Sequence, residues 1–277
     1  MPLDALISAS LAAPAVLLYL DFDGTLVSIR RDPGRCQLSP AVLASLQQLS
    51  RSPGAPPLDL AVISGRSLGD LRQRLGPGLE HLSLAGNHGL EIASDGGLWR
   101  DPRAEALMPQ LDVVAERLRQ SLQRWPGAWL EHKGLSLSLH TRRLPEAERE
   151  PLAHELLPLL EQINAEGQFQ LRRGRLVLEI RPAIPHTKAD AVQWLEAAAQ
   201  RRGLWNTTAG QPPLRLYVGD DDTDEDVFRL WPGVVGVRVG PGAQPSAASH
   251  RLSGPAGLAQ WLAALAEARH HIGQPQP

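Results

Sequence analysis

Apolar residues recur along this chain at two spacings. Short, nearly unbroken runs at Ala15–Leu20, Leu58–Ile63, Leu214–Val218 and Val234–Val239 predict strands buried on both faces. A shorter strand is expected over His81–Ala85, and a small hairpin from Leu90–Ile92 and Gly97–Trp99. Between the runs lie helical stripes. Ser39-Pro40 supplies an N-cap and a first-turn proline ahead of Leu43, Leu46 and Leu49; Leu68, Leu71 and Leu75 form a second stripe. Helices are also expected from Thr187 to about Gln200 and from Leu258 to Glu267. Strands alternating with helices give an α/β fold on a parallel sheet. Residues 1–14 read as a loosely held leader, Arg30–Gly34 as a loop, Pro53–Pro57 as a break and His270–Pro277 as a tail.

The middle of the chain differs. A helix over about Ala104–Trp125 precedes strands at Ala128–Lys133 and Leu135–His140; the latter, LSLSLH, alternates strictly. Such alternation implies one buried and one solvated face in an antiparallel sheet. A helix at Pro145–Ala165 follows. Phe169–Arg172 and Leu176–Ile180 then pair across Arg173-Gly174, and Pro182 and Pro185 mark the exit. The order αββαββ describes an antiparallel α+β unit inserted into the α/β chain. The expected division is 1–107 and 183–277 for the core and 108–182 for the insert.

Composition narrows the class. The chain has 277 residues, 43% hydrophobic and 21% charged, with net charge −2, which suits a globular protein with a sizeable core. No basic block points to nucleic acid. Cys36 is the only cysteine, so no internal disulfide is possible, as expected of a reducing, cytoplasmic setting. Leu11–Leu20 is too short to span a bilayer, and the N-terminus lacks the basic stretch of a signal peptide.

Candidate chemistry gathers where strands end. Asp21-Phe22-Asp23-Gly24-Thr25 closes the first strand, at the carboxyl edge where α/β sheets bind ligands. Asp and Gly are ordinary turn residues, but the pattern arises by chance about once in 10⁵ positions. An EF-hand fails because Leu26 stands where the loop needs glycine. Ser64-Gly65-Arg66 ends the second strand at a helix start, which is either a plain cap or an anion site. Gly219 to Asp226 holds five aspartates and one glutamate directly after a strand. Clustered carboxylates call for a cation. Asp21, the Asp23 carbonyl and Asp220 would make an oxygen site suited to Mg²⁺, with Asp224 one helical turn on as orienting group or ligand.

Taken together, DFDGT, SGR, Lys188 at a helix start and G-D-D-x-T-D resemble the motifs of the haloacid dehalogenase (HAD) phosphatases. Ala189 stands where many relatives have glycine after the lysine. That resemblance implies a Rossmann-like HAD core with an α+β cap, with Asp21 as nucleophile and Asp23 as general acid/base. In this reading Asp23 is kept protonated by neighbouring carboxylates. Ser64 and Lys188 hold the phosphoryl group, and Asp21, Asp23, Asp220 and Asp224 form the metal site. Glu131–His140, Val177–Pro182 and Ala85–Glu91 further resemble the trehalose-6-phosphate phosphatases, whose cap carries E-D-K where this chain has Glu131-His132-Lys133.

The resemblance implies Mg²⁺-dependent hydrolysis of trehalose 6-phosphate in trehalose biosynthesis. The substrate would be bound by Gly65, Arg66, Asn87, His88, Glu131, Lys133 and Glu179. Trp129 could stack on a sugar or serve the core. The cap would close as a rigid body on hinges at Ala104–Pro109 and Pro182–His186. Alternatives are a sucrose-phosphate or other sugar-phosphate phosphatase, a non-catalytic sensor, which should have lost an acid, and a phosphomutase, which needs a second phosphate site. The expected partner is a small sugar phosphate, with no nucleic acid or membrane. The sequence does not speak to association with a trehalose-phosphate synthase.

Overall fold

The computed structural model describes residues 3–30, 33–51, 56–174, 176–205, 211–242 and 244–272. The break expected at Pro53–Pro57, part of the Arg30–Gly34 loop and the last five residues of the expected tail lie wholly or largely outside them. The chain divides into two compact units, Met1–Trp99 with His186–Pro277, and Arg100–Pro185.

In chain order the first segment carries α1 (Leu3–Ala12), β1 (Val16–Asp21), α2 (Pro40–Ser50), β2 (Leu58–Ile63), α3 (Leu68–Leu75), β3 (Ser83–Gly86), β4 (Glu91–Ser94) and β5 (Gly97–Arg100). The second unit holds α4 (Pro102–Ala106), α5 (Met108–Leu122), β6 (Trp129–His132), β7 (Leu137–His140), α6 (Glu146–Ala165), β8 (Phe169–Gly174) and β9 (Val177–Pro182). The chain returns with α7 (Lys188–Arg201), β10 (Leu214–Gly219), α8 (Asp222–Leu230), β11 (Val234–Val239), β12 (His250–Leu252) and α9 (Pro255–Ile272).

The first unit is an eight-stranded sheet in the order β12-β11-β10-β1-β2-β3-β4-β5. β1 lies between β10 and β2, parallel to both, and β4 runs antiparallel to β3. Strand periodicity splits β1 between two cores. Val16, Leu18 and Leu20 pack with Leu6, Leu46 and Leu262 of α1, α2 and α9. Leu17 and Tyr19 pack with Val192 and Leu195 of α7 and Phe228 of α8. Asp21 continues the second parity, so its side chain emerges on the side of α7 and α8.

The second unit is an antiparallel sheet, β6-β7-β9-β8, whose apolar face packs on α5 and α6 through Leu137, Leu139, Ile180, Leu118 and Leu156. Its other face is polar. One row across it runs Glu131–Ser138–Glu179–Arg172.

Several expectations need correction. Residues 3–12 are no loose leader but a helix, because Leu6 is fully buried against α9. The helix expected over 104–125 breaks at Leu107, since Pro109 has no N–H to donate back and starts a new first turn. β7 is buried on both faces: Ser138 and His140 are enclosed like the leucines that alternate with them. The β8–β9 hairpin turns after Gly174, with Leu176 at φ 61°, so Arg173 and Gly174 belong to the strand. His270 and His271 end α9 rather than a tail, and β12 was not foreseen. No described helix is long and apolar enough to cross a membrane.

Candidate active site

Asp21 ends the central strand and is 4% exposed. Its Oδ1 accepts a hydrogen bond from Lys188 Nζ at 2.7 Å; its Oδ2 is buried without a partner. Lys188 is the first residue of α7, positioned by a capping box in which Thr187 and Asp190 bond each other's backbone. Burial opposes its charge, but Asp21 and Asp224 hold its ammonium well above the ordinary lysine value. Burial pushes the Asp21 carboxyl up; Lys188 opposes this, while Asp224, Asp221 and Asp220 add to it.

Asp224 uses both carboxylate oxygens. Oδ1 accepts Lys188 Nζ and the Tyr217 hydroxyl, each at 2.7 Å; Oδ2 accepts the backbone N–H of Asp220 at 2.9 Å and of Asp221 at 3.0 Å. A carboxylate so committed orients its neighbours. Tyr217 is the group the sequence did not flag. It looks like one more aromatic in a buried strand, yet its fully buried phenol is kept well above its ordinary value by burial and Asp224 and therefore stays a donor. Gly219 is required here, since a Cβ would lie 2.2 Å from the Asp224 carboxyl carbon.

Asp220 lies beside the first acid turn. Thr25 Oγ1 donates to its Oδ1 at 3.1 Å, and a Cβ on Gly24 would meet its Oδ2 at 2.1 Å. Gly24 also needs its φ of 92°. One oxygen each of Asp21, Asp220 and Asp224 lie within 4.8 Å of one another, placed to hold a divalent cation. The donors fit such an ion: the unpaired Asp21 Oδ2 and an Asp220 carboxyl pushed up to about 6 by burial and by Asp224 and Asp221 both gain from one. Asp221 is held low by Lys188 and the Thr223 hydroxyl despite its burial, and caps α8.

Asp23 differs from expectation. Its partner is not another carboxylate but Arg66, which grips it with Nε at 2.6 Å and Nη2 at 2.7 Å. Arg66 is fixed in turn by Asp70, which Arg74 and Arg66 hold below the usual carboxylate range against the effect of burial. The Asp23 side chain is therefore engaged, and only its backbone carbonyl is left to offer a metal.

The turns after β2 and β3 are laced together. Asn87 N–H donates to Arg66 O at 2.7 Å and His88 N–H to Ser64 O at 2.9 Å. A Cβ on Gly65 would meet His88 Nε2 at 2.5 Å. Asn87 and His88 both adopt positive φ, 49° and 57°. Asn87 is buried, and its amide donates to Glu91, which also accepts the N–H of Leu68 in α3. That makes Asn87 a brace between the two loops. Ser64 Oγ accepts the Arg66 N–H at 3.2 Å, which leaves the hydroxyl proton to donate.

In the second unit Glu131, Lys133 and Glu179 share the polar sheet face. Lys133 Nζ donates to Glu179 Oε1 at 3.2 Å, Arg181 Nε donates to Glu179 Oε2 at 2.6 Å, and Glu131 Oε2 lies 2.8 Å from His140 Nε2. The Trp129 ring is engaged by His140, stacked at 4.6 Å, and by Arg143 at 4.8 Å. His132 turns to the helix side and meets Asp112 of α5 at 2.9 Å, so the residue that departs from E-D-K lies off the polar face.

A family model described as trehalose-phosphatase matches residues 19–244. The trehalose-phosphate phosphatase of Mycobacterium marinum is 32% identical over 95% of this chain and 64% of its own length; that of Mycobacterium bovis is 34% identical over 92% and 59%. This chain thus spans about three-fifths of the length of these curated relatives. Among solved structures, the C-terminal domain of Candida albicans trehalose-6-phosphate phosphatase superposes with TM-score 0.75 at 22% identity, covering 96% of this chain and 98% of that one. A haloacid dehalogenase-like hydrolase from Bacteroides thetaiotaomicron gives TM-score 0.58 at 16% identity, covering 90% and 98%, so the fold is HAD-like. With a family match over most of its length and this site beneath it, the chain belongs to the trehalose-phosphatase family.

Proposed function

We propose that this chain hydrolyses trehalose 6-phosphate to trehalose and phosphate, with Mg²⁺ as its cation. The observation that carries the reading is Asp21: a buried carboxylate at the end of the central strand, one oxygen anchored by Lys188 and the other unpaired. Asp21 attacks phosphorus through a carboxylate oxygen, the bond from phosphorus to the sugar oxygen breaks, and an aspartyl-phosphate forms. Asp23 gives its proton to the departing sugar oxygen and later takes one from the attacking water, which releases phosphate and restores Asp21. The acid half of that cycle requires the Asp23–Arg66 pair to open, because Arg66 occupies both carboxylate oxygens. Lys188 and the Ser64 hydroxyl donate to phosphoryl oxygens as charge spreads over them. Asp21, Asp220 and the Asp23 carbonyl would hold Mg²⁺, oriented by Asp224, and the ion would neutralise phosphoryl charge. Glu131, Lys133 and Glu179 would read the sugar hydroxyls. Cys36 is a buried free thiol, which suits a cytoplasmic site of action.

The test is phosphate release from a panel of sugar phosphates. Trehalose 6-phosphate should be turned over fastest, and EDTA should stop the reaction. Equal or better turnover of sucrose 6-phosphate would move the substrate assignment, and activity indifferent to EDTA would remove the cation.

A further inference from the structure

The second unit contains a concavity that the phosphatase reading does not use. It lies between α6 and the apolar face of the sheet, with a volume of about 470 Å³, within the range of small-molecule sites. Half of its lining residues are leucines, among them Leu156 and Leu160 from the helix and Leu139, Leu171 and Leu178 from β7, β8 and β9. Polar residues line both ends, with Glu161 and Asn164 towards the C-terminal end of α6. Arg149 and Arg173 both line it, and the chain path puts them at one end. Val177, which registers with His140 at the end of β7, also registers with Gly174, the residue after Arg173. Arg149 is in the first turn of the helix that follows β7, on the same face of α6 as Leu152, Leu156 and Leu160. Its Nε is buried and has no hydrogen-bond partner, an unmet donor at the rim of an apolar cavity. The exposed acids of that turn, Glu146, Glu148 and Glu150, do not line the cavity; Glu161, which does, lies 12 residues along α6, about 18 Å away.

We propose that this groove binds a free single-chain carboxylate of the fatty-acid type. Its head accepts hydrogen bonds from Arg149 and Arg173, and its alkyl chain lies under α6 on Leu139, Leu171 and Leu178. An apolar tail matches the walls, and an anionic head meets the donor that the fold leaves unpaired. The inference stands apart from the catalytic reading, since none of these residues belongs to the site of the first unit.

Titration calorimetry of the full chain with decanoate, below its micellar concentration, tests it. Saturable one-to-one binding is expected. Decan-1-ol, with the same chain and no charge, should bind about tenfold more weakly, and Arg149→Met should weaken decanoate by a similar factor while leaving decan-1-ol unchanged. No saturable binding, equal binding of acid and alcohol, or indifference to Arg149→Met would each overturn the proposal. Leu157, 42% exposed, also lines the groove. If Leu157→Asp dissociates a dimer and decanoate does not bind, the groove holds a second copy of the chain and the proposal fails.

Discussion

Asp21 is set apart from the other acids by how unequally its oxygens are used. Asp224 spends both of its oxygens on four donors, and Asp23 spends both on Arg66. Asp21 keeps one oxygen free in a buried position. Asp21→Asn should therefore abolish both turnover and the phosphoenzyme, read as loss of the 80-dalton adduct in intact-protein mass spectra after a quench, about 80 being the mass of a phosphoryl group. Retained activity in that variant would discard the scheme. Asp220 gives a pH prediction. Its carboxyl is pushed from an ordinary 3.8 up to about 6. Between those values the folded chain holds a proton that the unfolded chain has lost, so without a cation stability falls as pH rises through that window. A cation competes with that proton, so Mg²⁺ should raise the melting temperature more at pH about 7.5 than at about 5. Equal gains at both values would remove Asp220 from the metal site. At this scale the acids could be read from sequence because charge at the end of an apolar strand is unusual, whereas Lys188, at a helix start, was legible only through the resemblance of the motif order. Tyr217 could not, because a buried tyrosine and a buried phenylalanine leave the same pattern. Nor could the Asp23–Arg66 pair, which depends on a turn bringing residues 43 positions apart into contact.

Strands and helices with strong periodicity were readable almost to the residue. β2 and β11 span the predicted Leu58–Ile63 and Val234–Val239, and Ser39 caps α2 with Pro40 as its first residue. The elements that escaped were those whose signal is tertiary. β12 is three residues long and exists through pairing with β11. α1 lacks a marked apolar stripe, and what holds it is Leu6, placed among Leu46 and Leu262. Leu6→Ala should cost about 2–5 kcal/mol in urea unfolding, the range for truncating a fully buried leucine. A change below about 0.5 kcal/mol would return residues 3–12 to the loose leader that the sequence suggested.

At the scale of the molecule, the two units carry different kinds of polar surface. In the first, charges are buried, paired and gathered at strand ends, as phosphoryl chemistry requires. In the second, Glu131, Lys133 and Glu179 stand on one sheet face among hydrogen-bonding neighbours, and its described residues include no cluster of acids that could hold a metal. Such a face suits a ligand with many hydroxyls: carboxylates accept from them and an ammonium donates to them. If recognition of the sugar belongs to this unit and the chemistry to the other, the two should separate kinetically. Glu131→Ala, Lys133→Ala and Glu179→Ala should each lower kcat/KM for trehalose 6-phosphate by about 1.5–3 kcal/mol, the loss expected for a hydrogen bond to a charged group. Glu179→Ala should show the largest loss, because it also frees Lys133 and Arg181 from their shared partner. A small aryl phosphate, which carries no sugar, should be hydrolysed by all three variants at the wild-type rate. Far-ultraviolet circular dichroism and the melting temperature would check that the second unit still folds. Equal losses on the aryl phosphate and the sugar phosphate would show that the substitutions reach the phosphoryl site itself, and the division of labour between the units would be withdrawn.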